Sequence, residues 1–268
     1  MSDTIVLIHG LWMTPLSWEN WNARFTDAGH TVHAPAWPGF DRPIEEIRRD
    51  PAPFARLGVK EIADHYEGII RGLDRPPIIM GHSFGGLVTQ ILLDRGLGAA
   101  GVAVDPAAPR GVMVLPPAQL KVASIALKNP ANRHRTQMLS AEQFHYAFGN
   151  VLSASESQTV YERYCVPGPG RPLFQAGLAN FNPKAVTRVD YKADRAPLLI
   201  LGGGKDHTVP AAVTRANFKL QKRSPAVTEY KEYADRCHYT VGQDGWEAVA
   251  DHALEWSVTQ AAKRAVAH

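Results

Sequence analysis

Short apolar runs alternate with segments of helical periodicity along most of the chain. The apolar runs predict buried strands at 5–8, 31–34, 77–80, 102–104, 198–201 and 227–233. The periodic segments predict helices at 15–28, 59–73, 87–95 and 211–220, with a last helix beginning near Asp244. Strands that alternate with helices form a mostly parallel sheet covered by helices on both faces. The pattern therefore predicts an α/β fold.

The alternation stops between Pro109 and Arg195. Two capping-box signatures, Ser140 with Gln143 and Ser153 with Glu156, predict helices within this stretch, and the Pro/Gly-rich segment 166–172 divides it. We therefore predict an α/β core made of residues 1–109 and 196–268, with a helical insert at 110–195.

A Gly-x-Ser-x-Gly pattern, Gly81 to Gly85, lies between a predicted strand and a predicted helix. A serine in such a sharp turn lifts its hydroxyl clear of the sheet, and glycine fits on either side because bulkier side chains would collide. Gly86 would let the helix pack closely. The alternative is an ordinary glycine-rich loop between a strand and a helix.

A serine hydroxyl needs a base to take its proton, and reactive groups in open α/β sheets lie past the C-terminal ends of strands. Asp206 follows the strand 198–201, and His238 follows the strand 227–233. The order serine, acid, histidine is the one expected of α/β-hydrolases.

Over nearly its full length the chain resembles the α/β-hydrolase superfamily of serine hydrolases, which includes esterases and lipases. The resemblance rests on His9-Gly10 after the first strand, the Gly-His-Ser-Phe-Gly-Gly elbow, the Gly-Lys-Asp-His-Thr-Val-Pro acid loop and the late His238. It implies Ser83 as nucleophile, His238 as general base and then acid, and Asp206 as the group that orients the imidazole. It also implies that the insert is a cap.

The same resemblance implies an oxyanion hole made of two backbone N–H groups. The Phe84 N–H is one donor, and the other is Leu11 after His9-Gly10, with Trp12 as the second choice.

Other residues compete for these roles. Asp105 is the alternative acid, at a position where some family members carry theirs, and Asp235 is less suitable. His207 adjoins the acid and is interpreted as a loop residue, and His9 and His82 as hydrogen-bonding structural residues. Cys237 is interpreted as a packed thiol.

The insert is rich in aromatic residues, some of which should line a largely apolar cleft; Phe144 and Tyr164 are the predicted determinants of chain length. Arg133, Arg135 and Arg171 are interpreted as surface residues.

The sequence departs from the usual α/β-hydrolase pattern in one respect. Typical members have an antiparallel hairpin before the His-Gly strand, and here that hairpin is expected to be absent. Hydroxynitrile lyases begin similarly, but they carry Thr in place of Gly10 and Lys in place of Tyr239. Epoxide hydrolases and haloalkane dehalogenases use Asp at the elbow, which Ser83 excludes.

We therefore expect a hydrolase of carboxylic esters acting through an acyl-enzyme. A lactonase, a cofactor-free perhydrolase and a C–C bond hydrolase use the same triad and remain open, as does a ligand receptor with little turnover.

Composition narrows the class of protein. The 268 residues are 45% hydrophobic and 21% charged, and the net charge of +3 with interspersed signs argues against nucleic-acid binding. No apolar stretch approaches the length of a membrane span, and the first residues show neither a basic n-region nor a cleavage site, so no signal peptide is expected. Two cysteines are too few for a disulfide framework, and no cluster has metal-ligand spacing. We expect a cytoplasmic protein with a small-molecule substrate and neither cofactor nor metal; the oligomeric state is left open.

Overall fold

The structure, a computed structural model, describes residues 4–267 and contains a six-stranded sheet in the order β2-β1-β3-β4-β7-β8. Its strands are β1 (Thr4–Ile8), β2 (Thr31–His33), β3 (Ile78–His82), β4 (Ala100–Val104), β7 (Leu198–Gly203) and β8 (Thr228–Tyr233). Every neighbouring pair is parallel. The predicted fold class, an α/β-hydrolase fold with a mostly parallel sheet, is confirmed.

The helices that connect and cover these strands are α1 (Glu19–Asp27), α2 (Ile44–Arg49), α3 (Val59–Arg71), α4 (Phe84–Asp94), α5 (Pro117–Leu127), α6 (Ala141–Ala147), α7 (Ala154–Tyr164), α8 (Arg171–Gly177), α9 (Ala211–Gln221) and α10 (Trp246–Ala267). Most of the helices lie close to predicted positions, whereas no position was predicted for α5 or α8, and α8 begins within the segment 166–172 that was predicted to be a loop. Helix α4 begins three residues earlier than predicted, directly after Ser83. The sequence signal was weak there because Gly85 and Gly86 are poor helix formers. The short α2 was not predicted.

Burial explains why the central strands are continuous apolar runs. All residues of β3 and β4 are buried, whereas the edge strands β2 and β8 are partly exposed. Helices cover both faces of the central strands, so neither face can be polar. Within residues 4–267 no helix has the length and apolarity needed to cross a bilayer.

Residues between β4 and β7 form helices α5 to α8 and a two-stranded antiparallel pair, β5 (Thr136–Gln137) with β6 (Gly168–Pro169). Both predicted capping boxes are confirmed, one at the start of α6 and one at the start of α7.

This segment is hydrogen-bonded to three loops that follow sheet strands. The N–H of Val166 donates to Trp12 O at 2.9 Å, after β1. The Asn150 side chain donates to Lys205 O at 2.9 Å, after β7. The N–H of Tyr239 donates to Phe148 O at 3.0 Å, after β8. The inserted helices therefore lie over the C-terminal edge of the sheet, where parallel α/β folds bind ligands.

Candidate active site

Ser83 occupies a sharp turn between β3 and α4. Its backbone has φ 55° and ψ −119°, a combination that side-chain-bearing residues rarely adopt. The N–H of Ser83 donates to Val104 O at 2.9 Å, and its carbonyl accepts from the Ala107 N–H at 3.0 Å. Hydrogen bonds to the neighbouring strand end thus hold the strained turn in place.

The two glycines that flank Ser83 have no room for a side chain. A Cβ atom on Gly81 would lie 2.1 Å from Gly85 O, and one on Gly85 would lie 2.0 Å from Ile8 O. Both contacts are with backbone, which cannot move aside as a flexible side chain would. The predicted need for glycine at these two positions is confirmed.

Ser83, His238 and Asp206 form one chain of hydrogen bonds. His238 Nε2 lies 3.0 Å from Ser83 Oγ, and His238 Nδ1 lies 2.6 Å from Asp206 Oδ2. Because Nδ1 faces a carboxyl group, the neutral ring carries its proton there, which leaves Nε2 to accept from the serine hydroxyl. The structure thus brings together three residues that are far apart in sequence.

Burial governs the electrostatics of this chain. The side chains of His238 and Asp206 are fully enclosed. Burial lowers the pKa of His238, so the imidazole is uncharged at neutral pH. Burial also raises the pKa of Asp206, and the N–H groups of Val209 and Thr208, which donate to Oδ1 at 2.8 and 2.7 Å, oppose that rise.

Asp105, the alternative acid, lies nearby but is bonded elsewhere. Its Oδ1 accepts from the Gly203 N–H at 2.6 Å, and its Oδ2 has no hydrogen-bond partner among residues 4–267. Burial first, and then the charge of Asp206, raise the pKa of Asp105 well above its ordinary value. Burial therefore disfavours the charged form of Asp105, and this carboxyl group is not the one that contacts His238 Nδ1.

Ligand-type atoms of His82, Asp105 and His238 lie within 4.8 Å of one another. Three of the four imidazole nitrogens already have partners: both of His238, and Nε2 of His82, which lies 2.8 Å from His238 O. A metal ion bound through either nitrogen of His238 would displace the contact with Ser83 or Asp206.

His9 and His207, which are not part of the chain of hydrogen bonds at Ser83, have structural contacts. His9 Nε2 accepts from the Trp37 N–H at 3.1 Å, so Nδ1 carries the proton and donates to Gly10 O at 3.0 Å. Burial lowers the pKa of His9 to about 3. His207 Nδ1 lies 3.0 Å from Tyr146 O and so joins the acid loop to α6.

Loop 9–12 runs beside Ser83. A Cβ atom on Gly10 would lie 2.9 Å from Ser83 Cβ, so threonine at this position would displace the serine or the loop. Trp12 has φ 66° and lines the cavity together with Ser83 and Phe84. The side chain of Leu11 is directed away, toward Gly168.

A cavity of about 230 Å³ leads to Ser83. Its walls are mostly aliphatic and come from the loop after β4 and from helices α5 and α8; they include Ala107, Val112, Leu115, Leu120, Ala123, Leu127, Leu173, Ala176 and Val209. Several lining residues are also exposed to solvent at the mouth, namely Met113 (72%), Leu115 (64%) and Phe181 (85%). The opening is therefore rimmed by apolar side chains.

The aromatic residues of the insert mostly pack away from this cavity, contrary to the expectation for two of them. Phe144 is fully buried and stacks on Phe148, with ring centroids 4.9 Å apart. Tyr164 donates to Glu19 and packs against Tyr239. Neither residue is part of the cavity wall, so the cavity does not support a direct contact of either side chain with an acyl chain.

Two features of the site carried no sequence signal. Phe148 packs edge-on against His238, with centroids 4.7 Å apart, through a contact between residues 90 positions apart. The other is the wall provided by α5, whose sequence pattern does not indicate which face is buried. Only the prolines at the N-cap and at the first position of α5, Pro116 and Pro117, mark where that helix begins.

Comparisons with known proteins agree with this fold. A model of the alpha/beta hydrolase family matches residues 5–252. The search of curated protein sequences finds no match.

Solved structures with the same fold cover nearly the whole chain. An extracellular α/β-hydrolase from a Paenibacillus species, described as a structural and functional homologue of tobacco salicylic acid binding protein 2, is 22% identical with TM-score 0.69, covering 92% of this chain and 96% of its own. The Paleococcus ferrophilus monoacylglycerol lipase is 19% identical with TM-score 0.67, covering 96% and 94%. A pyrethroid hydrolase from Sphingobium faniae JZ-2 is 18% identical with TM-score 0.61, covering 94% and 98%.

At these identities the structural likeness is one of fold, whereas the family match spans almost the entire sequence. The chain belongs to the alpha/beta hydrolase family.

Proposed function

We propose that the protein hydrolyses carboxylic esters of small, largely apolar compounds through an acyl-enzyme. In this proposal Ser83 is the nucleophile, His238 the general base and then acid, and Asp206 the group that orients the imidazole. The observation that carries it is the pair of contacts made by His238, 3.0 Å to Ser83 Oγ and 2.6 Å to Asp206 Oδ2.

The proposed reaction has two halves. In the first, Ser83 Oγ attacks the ester carbonyl while His238 Nε2 takes its proton, and the same proton then passes to the leaving alcohol. In the second, a water molecule gives a proton to Nε2 as its oxygen attacks the acyl carbon; the bond to Ser83 Oγ then breaks, Oγ takes the proton back from Nε2, and the acid leaves. These steps need only side chains and water, in keeping with the expected absence of a cofactor or metal.

Backbone amides would stabilise the oxyanion. Phe84 is the first residue of α4, and the first N–H groups of a helix have no intrahelical acceptor. We propose its N–H as one donor and the 11–12 loop as the source of the other. Leu11 is the proposed residue in this loop, with Trp12 as the second choice.

The substrate class follows from the shape and chemistry of the cavity. Aliphatic walls and an apolar rim favour a neutral group over a charged one. The fold relatives named as a monoacylglycerol lipase and a pyrethroid hydrolase support esters with apolar parts.

We also propose that residues 110–195 form a cap on a core of residues 1–109 and 196–268. Its hydrogen bonds to the loops after β1, β7 and β8 support this division. A reducing, cytoplasmic setting is proposed because Cys165 and Cys237 are both free and buried.

Stopped-flow hydrolysis of 4-nitrophenyl acetate tests this function. An acyl-enzyme that hydrolyses more slowly than it forms gives a burst of nitrophenol close to one equivalent of enzyme. When the two steps have similar rates, acid quenching followed by intact-mass measurement detects the acetylated protein instead. Turnover with neither a burst nor an acetylated species would contradict the proposed mechanism.

A further inference from the structure

The cavity that leads to Ser83 contains one side-chain amide without a hydrogen-bond partner. Gln119 lies on α5 and forms part of the cavity wall. Its Oε1 is shielded from bulk solvent, and among residues 4–267 no group donates to it. Buried polar atoms are nearly always paired in folded proteins, so an unpaired one beside a cavity indicates a partner that binds there.

The other polar side chains of the wall already have partners. Asn180 accepts from the Gly111 N–H at 2.7 Å and donates to Val112 O at 2.8 Å. Thr208 donates to Ala147 O at 2.7 Å. Ser83 is bonded to His238, so Gln119 is the wall side chain left to recognise a polar group on the substrate.

Gln119 also lacks the structural role that its position usually has. It is the third residue of α5, where Gln or Glu commonly reaches back to the N–H of the residue that caps the helix. In α6, Gln143 makes that contact with the Ser140 N–H at 2.9 Å. The capping residue of α5 is Pro116, which has no N–H, so this partner does not exist for Gln119.

We propose that Gln119 determines substrate specificity by accepting a hydrogen bond from a hydroxyl or N–H group on the acyl chain. This inference rests on the proposed function and narrows its substrate class to esters whose apolar acyl chain carries one hydrogen-bond donor. Away from Gln119 the aliphatic walls offer such a donor no partner, so the position of the donor along the chain matters.

The test compares 4-nitrophenyl octanoate with its monohydroxylated analogues, the hydroxyl being moved along the chain one carbon at a time. In the wild-type protein one position should give a higher kcat/KM than the unsubstituted ester. In Gln119→Met, which keeps the length of the side chain but cannot accept this bond, that preference should fall roughly three- to tenfold. Leu120→Met, on the same helix and in the same wall, is the matched control and should keep the preference.

Two readouts separate failure of this inference from failure of the proposed function. Hydrolysis of unsubstituted octanoate and fluorophosphonate labelling of Ser83, both measured on the wild-type protein, report on the function alone. If the protein hydrolyses and labels normally but no hydroxyl position is preferred, or the preference survives in Gln119→Met, the role of Gln119 is refuted.

Discussion

The Ser83 hydroxyl is a single oxygen atom in a turn whose shape is fixed by backbone hydrogen bonds. Ser83→Ala removes that oxygen and leaves the hydrogen bonds to Val104 and Ala107 in place. We expect kcat for ester hydrolysis to fall by roughly 10⁴–10⁶ with no change in thermal stability beyond a few degrees. Retention of more than a few per cent of activity in a pure sample would identify a different nucleophile.

Two buried carboxyl groups, those of Asp206 and Asp105, lie near His238, so a variant of Asp105 can serve as the control for a variant of Asp206. Asp206→Asn would present an amide to Nδ1, favour the wrong imidazole tautomer and lower kcat roughly 10³–10⁴-fold. Asp105 accepts from the Gly203 N–H and does not contact His238 Nδ1, so Asp105→Asn should cost less than about tenfold. Steady-state kinetics of both variants on one ester decide the assignment, and a greater loss in Asp105→Asn would reverse it.

Individual residues of the candidate site could be predicted from the sequence where they directly follow a strand. Ser83, Asp206 and His238 each follow a strand, and the strand-end rule connects them without any knowledge of distances. The side chain that packs on His238 was not predictable, because Phe148 reaches it through the tertiary packing of α6. The choice between Leu11 and Trp12 was also open, since a backbone donor depends on φ and ψ and not on the side chain.

Helix α5 contributes more residues to the cavity wall than any other helix. Ala123 lies in this wall, and Ala123→Leu would add three carbon atoms to a cavity of about 230 Å³. We expect the ratio of kcat/KM for octanoate over acetate to fall roughly tenfold or more, while labelling of Ser83 by a small fluorophosphonate stays unchanged.

Phe144→Leu is the control for that experiment. Phe144 packs within the insert, stacked on Phe148, and is not part of the wall. The substitution should lower the free energy of unfolding by about 1–3 kcal/mol and leave the octanoate-to-acetate ratio unchanged. A larger shift in the ratio from Phe144→Leu than from Ala123→Leu would mean that the cavity wall has been wrongly located.

The elements themselves were predicted to different degrees. Both capping boxes marked true helix starts, because they use contacts between residues three positions apart. The short helix α2 could not be predicted, because six residues carry too little periodicity to identify a helix. The face that α5 turns toward the cavity depends on its packing against α8, which the sequence of α5 alone does not contain.

Over the whole molecule, the buried histidines couple stability to pH. The folded-state pKa of His9 is lowered to about 3, below the 6.5 of an exposed histidine. Between those values the unfolded chain binds a proton that the folded chain does not, so the free energy of unfolding falls as pH falls below 6.5. For His9 alone the slope is about 1.4 kcal/mol per pH unit.

Urea unfolding of the wild-type protein and of His9→Gln between pH 6 and pH 4.5 measures this contribution. The glutamine oxygen can still accept from the Trp37 N–H but does not titrate in this range. The wild-type slope should exceed that of His9→Gln, and His33→Gln, at an exposed position, should keep the wild-type slope. Equal slopes for wild type and His9→Gln would show that His9 is not held neutral.

The most direct test of the proposed catalytic triad is to find which residue a fluorophosphonate labels covalently. The protein is incubated with the probe at neutral pH, and its intact mass and proteolytic peptides are measured. We predict one adduct per chain, located on Ser83, with no adduct in Ser83→Ala and greatly slowed labelling in His238→Ala. Labelling of another residue, or ester hydrolysis by a protein that is not labelled at Ser83, would show that Ser83 is not the nucleophile.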